Sequence, residues 1–250
     1  MKPEPPVLLP PERALPALQI YLLGMVDFEA ALGLQRRLVY EVAGKRDSAA
    51  LVLCEHPPLV TIGRHGSWRH VLWDAAELRA RRWPVRWVNR GGGCVLHAPG
   101  QTAIYPILPL DRLQLGLEAY LHDLRHVLIA VLNDFSIEAT TRAGQAEVWS
   151  GSRPIASVGV AVRDWVSYYG AALNINPDLS LYRAVRTGGD QGAIMTSVER
   201  ERRGPLRPAL VRERFIETFC ECFGFAQPAI FFDHPSLRRK ARSDALAPSA

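Results

Sequence analysis

An arginine, three consecutive glycines, a cysteine and a histidine share one short run of this chain, Arg90-Gly-Gly-Gly-Cys-Val-Leu-His97-Ala-Pro-Gly-Gln101, which leads directly into the strand-like Thr102-Ala-Ile-Tyr-Pro-Ile-Leu108. Glycines without Cβ let backbone N–H groups approach a carbonyl, carboxylate or phosphate, and Arg90 and His97 place polar side chains at either end of the turn. A plain tight turn followed by a hydrogen-bonded strand histidine is the competing reading, but turn chemistry alone does not account for Pro-Gly-Gln after the histidine. Cys94 is a candidate nucleophile, because amides of the preceding glycines would lower its pKa. If residues 94–97 are extended, however, Cys94 and His97 point to opposite faces, so a direct dyad needs a bent backbone and a buried, inert Cys94 is the alternative.

The other cysteines add no second site. Cys54, Cys94, Cys220 and Cys222 form no paired CxxC sets, and a Cys220-Glu-Cys222 spacing on a helix separates the two thiols, which argues against a metal. Reduced thiols in a cytoplasmic protein are expected. No apolar run is long enough to span a bilayer, and the proline-rich Met1–Pro10 lacks a signal-peptide core. The net charge of +5 comes almost entirely from arginine, with lysine only at Lys2, Lys45 and Lys240. Such a charge favours acidic partners in general. The arginines are scattered and match no DNA- or RNA-binding signature, so neither nucleic acid nor membrane is an expected partner.

The elements that must position these residues follow from periodicity. Leu18–Leu23 predicts a strand, Phe28–Val42 an amphipathic helix, and Ala49–Cys54 a buried strand stopped by Pro57-Pro58. Leu72–Arg82 reads as helical, Val85–Val88 as a short strand entering the glycine loop, and Gly116–Phe135 as a long helix with an apolar stripe. Two or three antiparallel strands are expected between Glu147 and Asn176, and a last helix over Val211–Phe223. Strands and helices interleave without regular βαβ alternation, which predicts an α/β chain of the α+β type, with mixed or antiparallel sheets and flanking helices. The expected organisation is a flexible segment over 1–16, one domain over 17–225 and a mobile tail over 226–250, whose Arg238–Arg242 cluster reads as solvated.

The glycine run, together with Glu55-His-Pro-Pro-Leu-Val-Thr-Ile-Gly-Arg64 upstream and Ile155-Ala-Ser-Val-Gly-Val-Ala-Val162 and Gly170-Ala-Ala-Leu-Asn-Ile-Asn176 downstream, resembles the octanoyl/lipoyl transferase family of the lipoate-protein ligase B type over about residues 18–225. The resemblance implies a biotin/lipoyl protein ligase-like fold. It also implies transfer of an octanoyl group from acyl carrier protein to a lysine of a lipoyl domain, as found in 2-oxoacid dehydrogenases and the glycine cleavage protein, through a cysteine thioester and without a cofactor. Arg64, Arg90, Gly91, Gly92, His97, Gly100 and Gln101 would line the pocket for the medium-chain acyl group.

The two catalytic positions depart from the family pattern. The family lysine of Gly-x-x-Lys-Ile-Ala falls on Pro154 of Gly151-Ser-Arg-Pro-Ile-Ala156, and the cysteine eight residues before Thr196-Ser197 falls on Gly188. The histidine before Gly-x-Ala-Leu-Asn is Tyr169, and the Thr-Tyr before the loop histidine is Val95-Leu96. Neither proline nor glycine can take the lost roles, so with this register the thioester route is closed and activity is lost or altered. A non-catalytic protein that recognises an acyl group, a lipoyl domain or acyl carrier protein is the alternative. A lipoate ligase of adenylating type is disfavoured by the absence of lysine from every core motif.

Overall fold

The computed structural model describes residues 15–187 and 194–237. In chain order the elements are β1 (Ala17–Met25), α1 (Phe28–Lys45), β2 (Ser48–Glu55), β3 (Leu59–Ile62), α2 (Ala75–Ala80), β4 (Val85–Trp87), β5 (Cys94–His97), β6 (Gln101–Ile107), α3 (Leu117–Asp134), β7 (Thr140–Thr141), β8 (Glu147–Ser150), β9 (Arg153–Arg163), β10 (Val166–Asn174), α4 (Val198–Arg202), α5 (Pro208–Phe223) and β11 (Ala229–Phe231). Eight strands form one mixed sheet in the order β11-β1-β2-β6-β10-β9-β8-β7, and β4-β3-β5 form a second, smaller sheet. In the large sheet β1 runs parallel to β11 and β2, and every other pairing is antiparallel.

Alternation along β2 shows how the layers arise. Ala49, Leu51 and Leu53 join the core under α3 and α5, whereas Ala50, Val52 and Cys54 face α1 on the other side. The interior stripe of α3, Tyr120, Leu124, Val127, Leu128, Val131 and Leu132, is fully buried against Phe215 and Phe219 of α5. Truncating one of those leucines to alanine costs about 2–5 kcal/mol. On α1, Asp27 accepts from the Ala30 N–H at the start, and Arg46 closes the end in the left-handed region.

The expected helix over Leu72–Arg82 is shorter, Ala75–Ala80. Its first residues are drawn into tertiary pairing, where Val71 bridges Val185 and the Leu72 N–H reaches the Ala184 carbonyl, so the helix starts only at the Asp74/Glu77 capping box. At the far end of the chain, β11 lies inside the segment expected as a tail, and its pairing with β1 carries the sheet past residue 225. Residues 1–14, 188–193 and 238–250, and with them Gly188 and the Arg238–Arg242 cluster, lie outside the described residues. No helix among the described residues is long and apolar enough to cross a membrane.

Candidate functional site

The glycine run sits where the small sheet meets the large one. Gly91 donates its N–H to the Val160 carbonyl of β9, and on the opposite side Gly63 and His65 donate to the carbonyls of Gly93 and Gly92. The close approach is made by partners of the loop: a Cβ on Gly159 would stand 2.5 Å from the Gly91 carbonyl oxygen, and one on Gly63 2.5 Å from that of Gly92. Gly92 itself has ordinary space around a Cβ and is required by its φ of +78°.

Pinned this way, the loop turns Arg90 inward. The guanidinium is buried; its Nη1 donates to the Gly91 carbonyl (2.9 Å), and its Nη2 to the Thr61 carbonyl (3.2 Å) and hydroxyl (2.8 Å). Burial lowers its pKa to about 10, so it stays charged at neutral pH, and among the described residues no carboxylate oxygen lies within salt-bridge distance of it. The Thr61 hydroxyl, receiving from Arg90, lies 3.2 Å from His97 Nε2. His97 is buried, and desolvation, reinforced by His56 and Arg90, pushes its pKa well below the usual value, so the ring is neutral. Its Nδ1 makes no hydrogen bond of ordinary geometry among the described residues, although the Gln101 side chain lies near enough to the ring to favour its protonated form. The Thr61 hydroxyl has two acceptors within reach, His97 Nε2 and the Val95 carbonyl at 3.4 Å: with its proton toward Nε2, Nδ1 is a donor, and with its proton toward Val95, Nε2 donates to the hydroxyl and Nδ1 is an acceptor.

A second polar chain supports the first. The Val26 carbonyl 2.7 Å from His56 Nδ1 fixes the proton there, so Nε2 accepts from the Tyr105 hydroxyl at 2.8 Å. His56 and His97 stand edge to face, their centroids 5.5 Å apart. Thr61, Arg90, His97, Tyr105, Phe28 and Tyr169 enclose a cavity of about 20 Å³, completed by Ser157, Gly159 and Ala171. That is room for about one water, and an alkyl chain enters only by displacing side chains. Polar groups from Arg90, Thr61 and His97 and the rings of Phe28, Tyr105 and Tyr169 share this lining, with Phe28 packed 5.8 Å from the His97 ring between centroids.

The sequence-predicted residues do not all meet there. Arg90 and His97 do. Arg64, Gly91 and Gly92 line a separate groove with Arg125 and Gln145 on the other side of the loop. Gly100 is a structural turn: its N–H donates to Glu55 Oε2 (2.8 Å), and its carbonyl accepts from both Ile175 and Asn176. Gln101 is buried scaffolding, the two N–H groups of its amide shared among the Leu96 carbonyl, Asn174 Oδ1 and the Tyr182 hydroxyl, all within 3.0 Å. Cys94 lies on the opposite face of β5 from His97, with its sulfur 3.5 Å from the Ser67 carbonyl among Ile62, Val71 and Leu78, and burial raises its pKa. Residue type and spacing alone do not single out Thr61, Phe28 or Tyr105. Thr61 had a usable signal as the one polar residue in an apolar strand, whereas Phe28 and Tyr105 read as ordinary core.

Pro154 is the second residue of β9, paired with Trp149. Its carbonyl accepts from the Thr196 N–H (2.8 Å), so the Thr-Ser pair from which Gly188 is counted lies beside Pro154. Arg153 is held by Glu201 of α4 in two parallel bonds of 2.9 Å, and Glu201 also accepts from the Thr196 hydroxyl. Those donors and the Arg153 charge outweigh desolvation and hold the Glu201 carboxyl below its usual value.

A family model described as the lipoyl protein ligase A/B catalytic domain matches residues 27–224. An octanoyltransferase of Geotalea uraniireducens is 37% identical over 192 residues, covering 77% of this chain and 86% of the relative. One from Desulfovibrio desulfuricans is 37% identical over 222 residues, 86% of this chain and 91% of the relative. Among solved structures, a lipoate-protein ligase A bound with ATP superposes with a TM-score of 0.69 at 16% identity over 91% of this chain and 93% of that one. A putative lipoate protein ligase from T. acidophilum with bound lipoic acid gives 0.68, also at 16% identity and over the same shares. At that identity the likeness concerns the fold.

Proposed function

The chain belongs to the lipoyl protein ligase A/B catalytic-domain family and within it to the octanoyltransferases, and on that premise we propose that it retains recognition of a medium-chain acyl group while the cysteine-thioester route of the family is closed. The carbonyl end of the acyl group lies against Arg90 and His97 Nδ1, and the alkyl chain runs between Phe28, Tyr105 and Tyr169. The family reaction asks for a thiolate and a neighbouring lysine. By register those positions are Gly188 and Pro154, and no lysine occurs between Lys45 and Lys240. Cys94 is no substitute, because its thiol faces away from His97 and burial disfavours the thiolate. The protein then acts in the cytoplasm as an acyl-responsive binding partner in lipoylation, engaging acyl carrier protein or the lipoyl domain.

The observation that carries this reading is the contrast between a buried Arg90–Thr61–His97 constellation whose His97 Nδ1 makes no hydrogen bond of ordinary geometry and a strand end at Pro154 without an ionisable catalytic group. Intact-mass spectrometry after incubation with octanoyl-acyl carrier protein, with and without a lipoyl domain, tests it. Neither protein should gain an octanoyl group, while octanoyl thioester should raise the melting temperature, as any ligand selective for the folded state must. Turnover at roughly 1 per second or more would refute the loss of chemistry, and absence of any thermal shift at saturation would refute the retained site.

A further inference from the structure

The outer groove beside the glycine loop holds three of the residues that the sequence marks for binding, Arg64, Gly91 and Gly92, and has a volume of about 530 Å³. That is the size of a small-molecule site. One wall is the start of α3, where four-residue steps bring Leu117, Leu121 and Arg125 to the same face. The N-cap of that helix, Gly116, offers no side-chain acceptor to the first N–H groups, so the positive end of α3 lies bare at this wall. Another wall carries Arg142, whose guanidinium is fixed by stacking on Trp149 at 3.7 Å and by donating to the Gly151 carbonyl at 3.1 Å. Among the described residues no carboxylate lines the groove. Arg125 Nε and Gln145 Oε1 are buried without a hydrogen bond, an arrangement that costs free energy until a partner is supplied. Behind the lining, the buried Glu147 carboxylate interacts with both Arg125 and Arg90, so one negative charge faces two cations before Arg64 is added.

We propose that this groove is a binding subsite for a phosphoryl group carried on an organic body. Phosphoryl oxygens pair with guanidinium donors two at a time and accept from a helix N-terminus. A carboxylate has two oxygens and satisfies one guanidinium, whereas a phosphoryl group has a third to share among Arg64, Arg125 and Arg142. The concave shape and the apolar Leu117, Leu121, Val158 and Val160 favour a small molecule or a prosthetic arm over the solvated contact of an acidic protein surface. A free diphosphate and a phosphopantetheine arm present the same chemistry, and the apolar lining favours the second. The inference does not rest on the acyl-binding reading above, because the groove lies on the other side of the loop from the Arg90–His97 cavity.

Calorimetric titration of the purified full-length protein with 4′-phosphopantetheine, pantetheine and inorganic pyrophosphate tests the assignment. 4′-Phosphopantetheine should bind about 10-fold or more tighter than pantetheine, the scale of one hydrogen bond to a charged group. Arg64→Gln, at an exposed position, and Arg125→Gln should each weaken it by about 10-fold. Arg79→Gln removes the same charge from the exposed surface of α2 and should change it by less than about two-fold. If Arg125→Gln does not fold, Arg64→Gln decides. Pyrophosphate that binds as tightly as 4′-phosphopantetheine would support the phosphoryl site and assign it to a free anion. Equal affinity for 4′-phosphopantetheine and pantetheine overturns the proposal, as does failure of both phosphorylated probes to bind at millimolar concentration. An Arg79→Gln effect as large as that of Arg64→Gln also overturns it, by reducing binding to the general attraction of a chain of net charge +5. The octanoyl-induced thermal shift, measured separately, reports on the acyl reading whichever way these titrations fall.

Discussion

The two ends of β9 treat their polar groups in opposite ways. Near Gly159, the strand backs a constellation in which, among the described residues, a buried cation bonded to Gly91 and Thr61 has no carboxylate within salt-bridge distance and a buried histidine nitrogen makes no hydrogen bond of ordinary geometry, a costly arrangement for buried polar groups. Near Arg153 and Pro154, where the resemblance places chemistry, most neighbouring polar groups are bonded to one another: Arg153 to Glu201, the Thr196 hydroxyl to Glu201, the Thr196 N–H to the Pro154 carbonyl, while the Trp149 indole N–H beside Pro154 makes no hydrogen bond among the described residues. On the function proposed above, one end of the strand receives the ligand and the other holds the fold.

The comparison breaks most sharply if chemistry can be put back. Pro154→Lys combined with Gly188→Cys should give a hydroxylamine-labile octanoyl adduct and transfer to a lipoyl domain on the order of 10² times the background, with far less from either change alone, because thiol and amine act as a unit. A folded double variant that binds octanoyl thioester but forms no adduct would show that the Gly188 register is wrong.

Next in size is an effect on the ligand-receiving end. Gly159→Ala forces a Cβ to 2.5 Å from the Gly91 carbonyl oxygen, backbone that cannot swing away, and should cost about 1–3 kcal/mol in urea denaturation while abolishing the acyl-induced thermal shift. Stability unaffected by this change would mean that the loop is not held against β9 as described.

On the structural end, Glu201→Gln should lower stability by about 0.5–1 kcal/mol at pH 7, the scale of a partly exposed ion pair, and leave acyl binding intact. The Glu201 carboxyl is held below its usual value in the folded protein, so its contribution is complete above the unfolded carboxylate pKa near 4.3 and disappears as pH falls through the lower folded value. The difference between wild type and Glu201→Gln should therefore shrink under acid, and a difference independent of pH would assign the effect to packing.

The smallest effect is expected at Cys94. Cys94→Ala should leave the acyl-induced shift unchanged, and alkylation of the native protein should label exposed Cys222 well before Cys94. Rapid native labelling of Cys94 would reopen it as a nucleophile.

Much of the fold was legible because burial imposes a period on the chain: the stripes of α1, α3 and α5 and the alternation of β2 can be read directly from apolar spacing. What periodicity missed was set by distant partners. Leu72 reads as helical but is committed to Ala184, and the short apolar run Ala229–Phe231, inside the expected tail, continues the sheet against β1.

The sequence by itself determined the family, the glycine loop, the opposed faces of Cys94 and His97, and the absence of a lysine from the core motifs, because these depend on residue identity and local spacing. Only the tertiary structure decided which polar residues face the cavity. Gln101 and Arg90 look equally like ligand-binding groups in one dimension. Yet the Gln101 amide is held by Leu96, Asn174 and Tyr182 away from the cavity lining, whereas Arg90, bonded to Gly91 and Thr61, is turned inward and lines the cavity beside His97. The physical reason is that a polar side chain becomes available for a ligand only when its neighbours in space, brought from β3, β9 and β10, leave a hydrogen bond unmade. Tyr169 shows the same dependence: its identity is written in the chain, but its position between a closed cavity and an open groove exists only after α1 and β10 have packed.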